Sequence, residues 1–257
     1  MNTPPDVVGR VAAVLRAVAS LGNGDGTTSA IARRAALARP TVHRLLSALQ
    51  GEGLVDRDRE GRWLLGPELY LLGAAAARRY DVTDVAQAFV RRLAQATGES
   101  AFFSARRGDE TVCLLREDGS FPIRSHVLHE GIRFPLGVAS AGLAILAHLP
   151  DAEIDGYLER TDLVSTYGVG HASRQVRATV AETRRAGYAV NPGLIVEGSW
   201  GMGAAVFDAR DQPQWALSLT GIEQRFNEAR RRELGPMLLR AAHELGRAIR
   251  RGPVTPS

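Results

Sequence analysis

Between residues 27 and 66 the chain lays down two helical apolar stripes and a glycine-turned pair of short strands in immediate succession, an order few small folds accommodate. The sharper stripe is Val42, Leu45, Leu46 and Leu49, at i, i+3, i+4 and i+7, one buried face of an α-helix. Pro40 suits its first turn, where a missing N–H costs nothing, and Gly51 and Gly53 end it. Just upstream, Ile31 and Ala35 face inward from a shorter helix that Thr27, Thr28 or Ser29 caps. Val11, Val14, Leu15 and Val18 mark a helix before that, closed by the turn formers Gly22-Asn23-Gly24-Asp25-Gly26. Strands at 54–57 and 62–65 follow, joined by Asp58-Arg59-Glu60-Gly61, where glycine supplies the positive φ of the turn. Three helices and a hairpin in this order predict a winged helix-turn-helix.

The same segment holds the charge. Residues 1–79 carry eleven arginines against seven acids, a surplus of four that equals the net charge of the whole chain; the remainder is neutral. A basic surplus confined to one unit points to an anionic partner there. If the stripe pins the third helix to a small core, its N-terminus and opposite face present Arg39, Pro40, Thr41, His43, Arg44 and Ser47, with Val42 between them. Such a helix fits the major groove of duplex DNA, and Arg57, Arg59 and Arg62 on the hairpin reach the flanking backbone. The competing reading, a three-helix bundle with a solvated arginine face, leaves the hairpin and the local surplus unexplained.

Pro67 opens a further helix, 67–79, with Leu69, Leu72 and Ala76 on one face, and Arg78-Arg79-Tyr80-Asp81 marks a boundary. The predicted organisation is therefore a winged helix over 1–66, a linker helix over 67–80 and a second domain over 81–251. In that domain Val85, Phe89, Leu93 and Ala96 define a helix. Strands are expected at 100–105, 111–116, 121–127, 188–191, 202–207 and 214–220, and helices at 138–148, 151–159, 173–186 and 227–250. Strands bracketed by helices without strict alternation predict an α+β sheet covered by helices. No run approaches the roughly 18 apolar residues of a membrane span, and the opening residues lack the pattern of a secretory leader, so a cytoplasmic protein without membrane contact is expected. The lone Cys113 excludes an internal disulfide and a multi-cysteine metal cluster.

The run from Ser29 to Leu46, with Arg39-Pro40-Thr41-Val42-His43-Arg44-Leu45-Leu46 at its end, resembles the helix-turn-helix of IclR-type bacterial regulators. Gly53-Leu54-Val55 through Gly61-Arg62-Trp63-Leu64-Leu65-Gly66-Pro67 is similar to that family's wing and its passage into a linker helix. Pro135-Leu136-Gly137 through Gly142-Leu143-Ala144, then Gly187-Tyr188, Glu197-Gly198, Ala204 to Asp208 and Ala216 to Gly221 match later landmarks in order. The resemblance implies a regulator that binds double-stranded operator DNA as a homodimer or dimer of dimers through its linker helix. It also implies a GAF-like C-terminal domain that binds a small organic effector, often a carboxylate or an aromatic compound. Ala38-Arg39-Pro40 departs from the residues common at the start of the reading helix, so the family's operator preference does not carry over; Gly137, Ala139, Leu143 and Gly201 also depart, which makes the pocket region less polar.

Carried over position by position, the effector site comprises Ser140 and Ala141 at a helix N-terminus, where free N–H groups favour an anion, with Asn191, Gly201, Ser218 and Thr220. Phe103 and Trp200, beside Phe102, are candidate apolar walls. The glycine density of 193–203 predicts either a backbone that comes close to a ligand or a tight surface loop, and the resemblance favours the ligand. Other chemistry is poorly marked. His126 and His129 lie three apart, which on a strand sends them to opposite faces, so they make a poor metal pair with Cys113 or His148. Ser140 and Ser199 lack the G-x-S-x-G spacing of a nucleophile elbow. No catalytic residue, metal or cofactor is expected. The alternative is a winged helix fused to an enzymatic or pure interaction domain.

Overall fold

The computed structural model describes residues 6–21, 25–77, 82–123 and 125–251, without the side chains of residues 76 and 77. The chain divides into two compact units, Met1–Tyr80 and Asp81–Ser257. The turn expected at Gly22-Asn23-Gly24, the boundary at Arg78–Asp81 and the inward side chain of Ala76 lie outside the described residues.

The first unit contains α1 (Val7–Leu21), α2 (Thr28–Ala35), α3 (Arg39–Gly51), the antiparallel pair β1 (Val55–Arg57) and β2 (Trp63–Leu65), and α4 (Pro67–Ala77). Thr27 is the cap of α2; its Oγ1 accepts from the Ala30 N–H at 3.2 Å. Val42, Leu46 and Leu49 of α3 are buried with Val14 and Val18 of α1 and Ile31 of α2, while Leu45 is partly buried at the edge of the cluster. Trp63 locks the hairpin to this core. It is 1% exposed, its indole N–H donates to Thr28 Oγ1 at 3.0 Å and its backbone N–H donates to Gly26 O at 2.8 Å. A Cβ at Gly26 would stand 2.5 Å from the Trp63 carbonyl oxygen, so only glycine admits this approach.

The second unit runs α5 (Val82–Thr97), β3 (Ser100–Arg107), β4 (Glu110–Glu117), β5 (Arg133–Pro135), α6 (Ser140–Ala147), α7 (Asp151–Arg160), α8 (Val164–Tyr167), a 3-10 turn, α9 (Ser173–Ala186), β6 (Ala189–Pro192), β7 (Ser199–Phe207), β8 (Pro213–Ile222) and α10 (Glu228–Arg251). The six strands form one antiparallel sheet in the order β5-β4-β3-β8-β7-β6. Helices α5 and α10 cover one face, where Phe103, Leu217 and Leu219 are buried; α6 and α9 lie on the other, where Phe102 and Ala216 join their core. This is the expected α+β architecture. Every residue of α6 is buried, and Leu143, Ile145 and Leu146 are each worth about 1.5–3 kcal/mol of apolar transfer. In α5 the buried stripe is Ala86, Val90, Leu93 and Ala94; Ala96 faces solvent.

One expected strand is absent. Among the described residues 121–127 form no strand, and the edge position beside β4 belongs to Arg133–Pro135 instead. The thiol of Cys113 is buried, and its burial, aided by the charge of Glu130, pushes its pKa up to about 12. It is a packing residue with no thiolate for chemistry at neutral pH. Among the described residues no helix is long and apolar enough to cross a membrane.

Candidate functional site

The outer surface of the first unit follows from its core. Because Val42, Leu46 and Leu49 are sealed inside, the helix period turns Arg39, Pro40, His43, Arg44 and Ser47 outward, with Thr41 at the rim. Val42 itself is 0% exposed, which corrects its inclusion among the reading residues: the stripe that orients α3 removes it from any ligand. Ala38 is the N-cap and offers no side-chain bond, so the backbone N–H groups of Arg39 and Thr41 remain open to an acceptor. Thr41 and Arg44 line a shallow hollow with Arg10 of α1.

The three wing arginines are not equivalent. Arg62 Nε lies 2.7 Å from Asp58 Oδ2 and a terminal nitrogen 3.1 Å from Glu60, so two carboxylates already neutralise it. Burial raises the Asp58 pKa, but the Arg62 backbone and side chain outweigh it and hold that carboxyl below its usual value. Arg62 therefore helps to build the turn, its guanidinium already engaged by two carboxylates. The Arg57 guanidinium stacks 4.0 Å above the Trp63 ring, with its edge free, and Arg59 is exposed at the tip.

In the second unit the glycines of β7 bring the N-terminus of α6 down onto the sheet. A Cβ at Gly203 would lie 2.4 Å from Ser140 O and 3.0 Å from the Ala141 nitrogen, and one at Gly201 would lie 3.0 Å from Ser140 Oγ. The close approach of Gly201 and Gly203 is thus made to this helix, where the sequence reading favours a ligand. The N-cap, Ala139, supplies no side-chain bond, and Ala139 and Ser140 at this helix end line a cleft with β7, β8 and the segments 127–128 and 191–199. Thr220 Oγ1 and Ser218 Oγ are buried on the same sheet face without a hydrogen-bond partner. Unpartnered buried hydroxyls are costly, and they mark a place where a polar ligand or water would be stabilised.

The expected residues separate. Ser140, Asn191, Trp200, Gly201 and Thr220 line the cleft. The Asn191 amide is engaged at both ends, donating to Val138 O at 2.7 Å and accepting from the Leu194 N–H at 2.9 Å, so it ties the segment before α6 to the loop. Trp200 borders the cleft, but its ring packs toward α10 under Arg231, 4.9 Å away. Ala141 and Ser218 lie deeper, outside the cleft wall; Ala141 offers only its N–H. Phe103 is a correction: it is 0% exposed on the α5/α10 face, opposite the cleft. Val127, Leu128 and Ile195 close the cleft from above, and Ser125 Oγ meets Ser199 Oγ at 2.5 Å to tie the two covering segments. No spacing pattern in the sequence marked that cover. The void left inside is about 20 Å³, room for one water. Among the described residues no three metal-ligating side chains converge.

A winged helix with an arginine-bearing reading face, followed by an antiparallel sheet enclosing a small polar-floored cleft, defines a DNA-binding regulator with a sensory domain. Comparison with known families gives the same class. Residues 7–59 match the IclR helix-turn-helix domain and residues 74–247 match the C-terminal domain of bacterial transcriptional regulators of the IclR type. The chain belongs to the IclR family of DNA-binding transcriptional regulators. It is 27% identical over 225 residues to the HTH-type transcriptional regulator KipR of Bacillus subtilis, covering 87% of this chain and 89% of that one. An IclR transcriptional regulator from Alicyclobacillus acidocaldarius superimposes with a TM-score of 0.75 at 24% identity, covering 95% of this chain and all of that one (100%). An IclR homologue from Microbacterium hydrocarbonoxydans, solved with 4-hydroxybenzoate, gives a TM-score of 0.73 at 25% identity, covering 93% and 98%.

Proposed function

We propose that α3 reads operator DNA in the major groove with Arg39, Thr41, His43, Arg44 and Ser47, while Arg59 and the free edge of Arg57 hold the flanking phosphates. The observation that carries this is the sealed stripe of α3, which leaves five polar side chains on the opposite face. Arg39 and Arg44 suit phosphate or guanine, and the open N–H groups of the α3 N-terminus suit a phosphate. Arg44→Ala is expected to weaken specific binding by about 1–3 kcal/mol without unfolding the unit. Arg59→Ala weakens all duplexes alike and lowers the slope of log K against log salt by about one phosphate contact. Arg62→Ala leaves that slope unchanged, because Asp58 and Glu60 already neutralise its charge. Titrations at two salt concentrations separate the three. A smaller slope in Arg62→Ala and none in Arg59→Ala would reverse the assignment.

The protein acts as a dimer through α4. Tyr70, Leu71 and Leu72 of that helix are 78%, 59% and 53% exposed in the single chain, an apolar surface that a second copy would cover. One reading helix recognises too few base pairs for useful specificity, so two are needed. Leu72→Glu is expected to shift the chain toward monomer in light scattering at micromolar concentration; a variant that stays dimeric places the contact elsewhere. The organisation proposed is a winged helix over 1–66, a linker helix over 67–80 and a sensory domain over 81–251, working in the cytoplasm without catalysis of its own.

The effector is a small carboxylate with an apolar or aromatic body, seated at the N-terminus of α6. The uncapped helix end supplies N–H donors, and Thr220 a free hydroxyl. The relative solved with 4-hydroxybenzoate supports the class. With room for a single water, the cleft must open to admit such a molecule, moving Val127, Leu128 and Ile195 and breaking the Ser125–Ser199 bond. A ligand that binds only the opened form shifts the population toward it, which is how occupancy reaches DNA binding. Thr220→Leu, which removes the hydroxyl and fills the void, is expected to abolish the thermal shift caused by any effector found in a screen. An undiminished shift would move the site.

A further inference from the structure

α6 and β7 each have one end in the effector cleft, and their other ends meet at a second hollow. α6 starts at Ser140 and is capped at its C-terminus by His148; β7 starts at Ser199 and ends at Phe207. Between those far ends and one face of α10 lies a cavity of about 490 Å³, a volume within the range of small-molecule sites. Its floor is apolar: Phe207, Leu239 and Ala242. The His148 ring stands edge-on to Phe207 with centroids 5.0 Å apart, making a fixed aromatic wall.

The rim carries a specific charge. Arg240, Glu244 and Arg247 recur on α10 at helical spacing and face the cavity, two guanidinium groups against one carboxylate. Some arginines of the unit are matched: Arg106 with Glu153, Arg160 with Asp109, Arg177 with Asp155. Among the described residues Arg240 and Arg247 make no ion pair or hydrogen bond. Two unmatched planar cations over an apolar floor with an aromatic wall are complementary to a flat apolar body bearing one anionic group.

We propose that this cavity is a second small-molecule site, distinct from the effector cleft, for an aromatic monocarboxylate. The bidentate geometry of guanidinium selects the carboxylate, and Phe207 and the His148 ring receive the body.

The test is calorimetry on the full chain with 2-naphthoate as probe. Wild-type protein binds it saturably, and one equivalent per chain remains when Thr220→Leu fills the effector cleft. The neutral isostere 2-naphthalenemethanol binds at least about tenfold more weakly, as does 2-naphthoate itself to the double variant Arg240→Gln, Arg247→Gln. Thr220→Leu, which fills the effector cleft, leaves naphthoate affinity within about twofold. Absence of saturable binding to wild type, equal affinity for the neutral isostere, or undiminished affinity in the double variant would overturn the proposal. Loss of binding in Thr220→Leu would overturn it too, by putting the probe in the effector cleft. The isostere comparison uses wild-type protein alone, so it holds whether or not the double variant folds.

Discussion

Replacing Trp63 with alanine is expected to unfold the first unit and abolish DNA binding while leaving the second unit intact. The indole is 1% exposed and packs on Val14, Val18, Ile31 and Val42. Truncating a buried aromatic costs about 3–5 kcal/mol, and the lost bond to Thr28 Oγ1 adds about 1. A unit of this size has only about 4–12 kcal/mol to lose. The Arg57 stack goes with the ring, so the hairpin loses both its anchor and its ordered arginine. Thermal unfolding followed by circular dichroism should show the winged-helix transition gone or moved down by tens of degrees, with the transition of the sheet domain in place. A shift of only a few degrees would mean that the hairpin is held by something other than this side chain.

The second large effect is expected at Gly203, where valine should destabilise the sheet domain by about 3 kcal/mol or more. The added Cβ would meet backbone atoms only, Ser140 O at 2.4 Å and Ser140 C at 2.6 Å, and neither can rotate away. Relief requires lifting the N-terminus of α6 off β7, and α6 is buried along its whole length. Gly201→Ala is the matched control. Its Cβ would face the Ser140 hydroxyl at 3.0 Å, which a χ1 rotation clears, so its cost should stay below about 1 kcal/mol. Denaturant titration of the two variants decides the point. Equal costs would mean that the α6 approach does not depend on the missing side chain.

Much of this molecule was legible from periodicity. The α3 stripe, the Thr27 cap and the Gly61 turn each follow from a local rule that tertiary packing left in force. The misreadings have physical causes. Phe102 and Phe103 are adjacent and both buried because helices cover both faces of the sheet, so the alternation that tells inside from outside on a half-exposed strand vanishes here. Residues 121–127 have strand-like apolar spacing, yet Ile123 is exposed and Val127 covers the cleft. Hydrophobic spacing reports burial, and pairing at the sheet edge went to Arg133–Pro135. The two carboxylates flanking Arg62 stood in plain sight at 58 and 60, but only geometry shows them closing on it. In the cleft at the N-terminus of α6 the residue types were readable and their surroundings were not. Asn191 and Thr220 are both polar and buried, and the difference between an engaged amide and a free hydroxyl lies in their neighbours.

On the proposed function, the outward face of α3, presented twice by a dimer, reads a DNA sequence. Selection from a randomised duplex library tests it directly, run in parallel for the wild-type chain and Arg44→Ala at fixed salt. Wild type should enrich an inverted repeat whose half-sites lie about one helical turn or a multiple of it apart, and the variant should lose or relax the base that Arg44 contacts in both halves. Enrichment of the same repeat with undiminished preference at every position by Arg44→Ala, or of no repeat by wild type, would contradict the account.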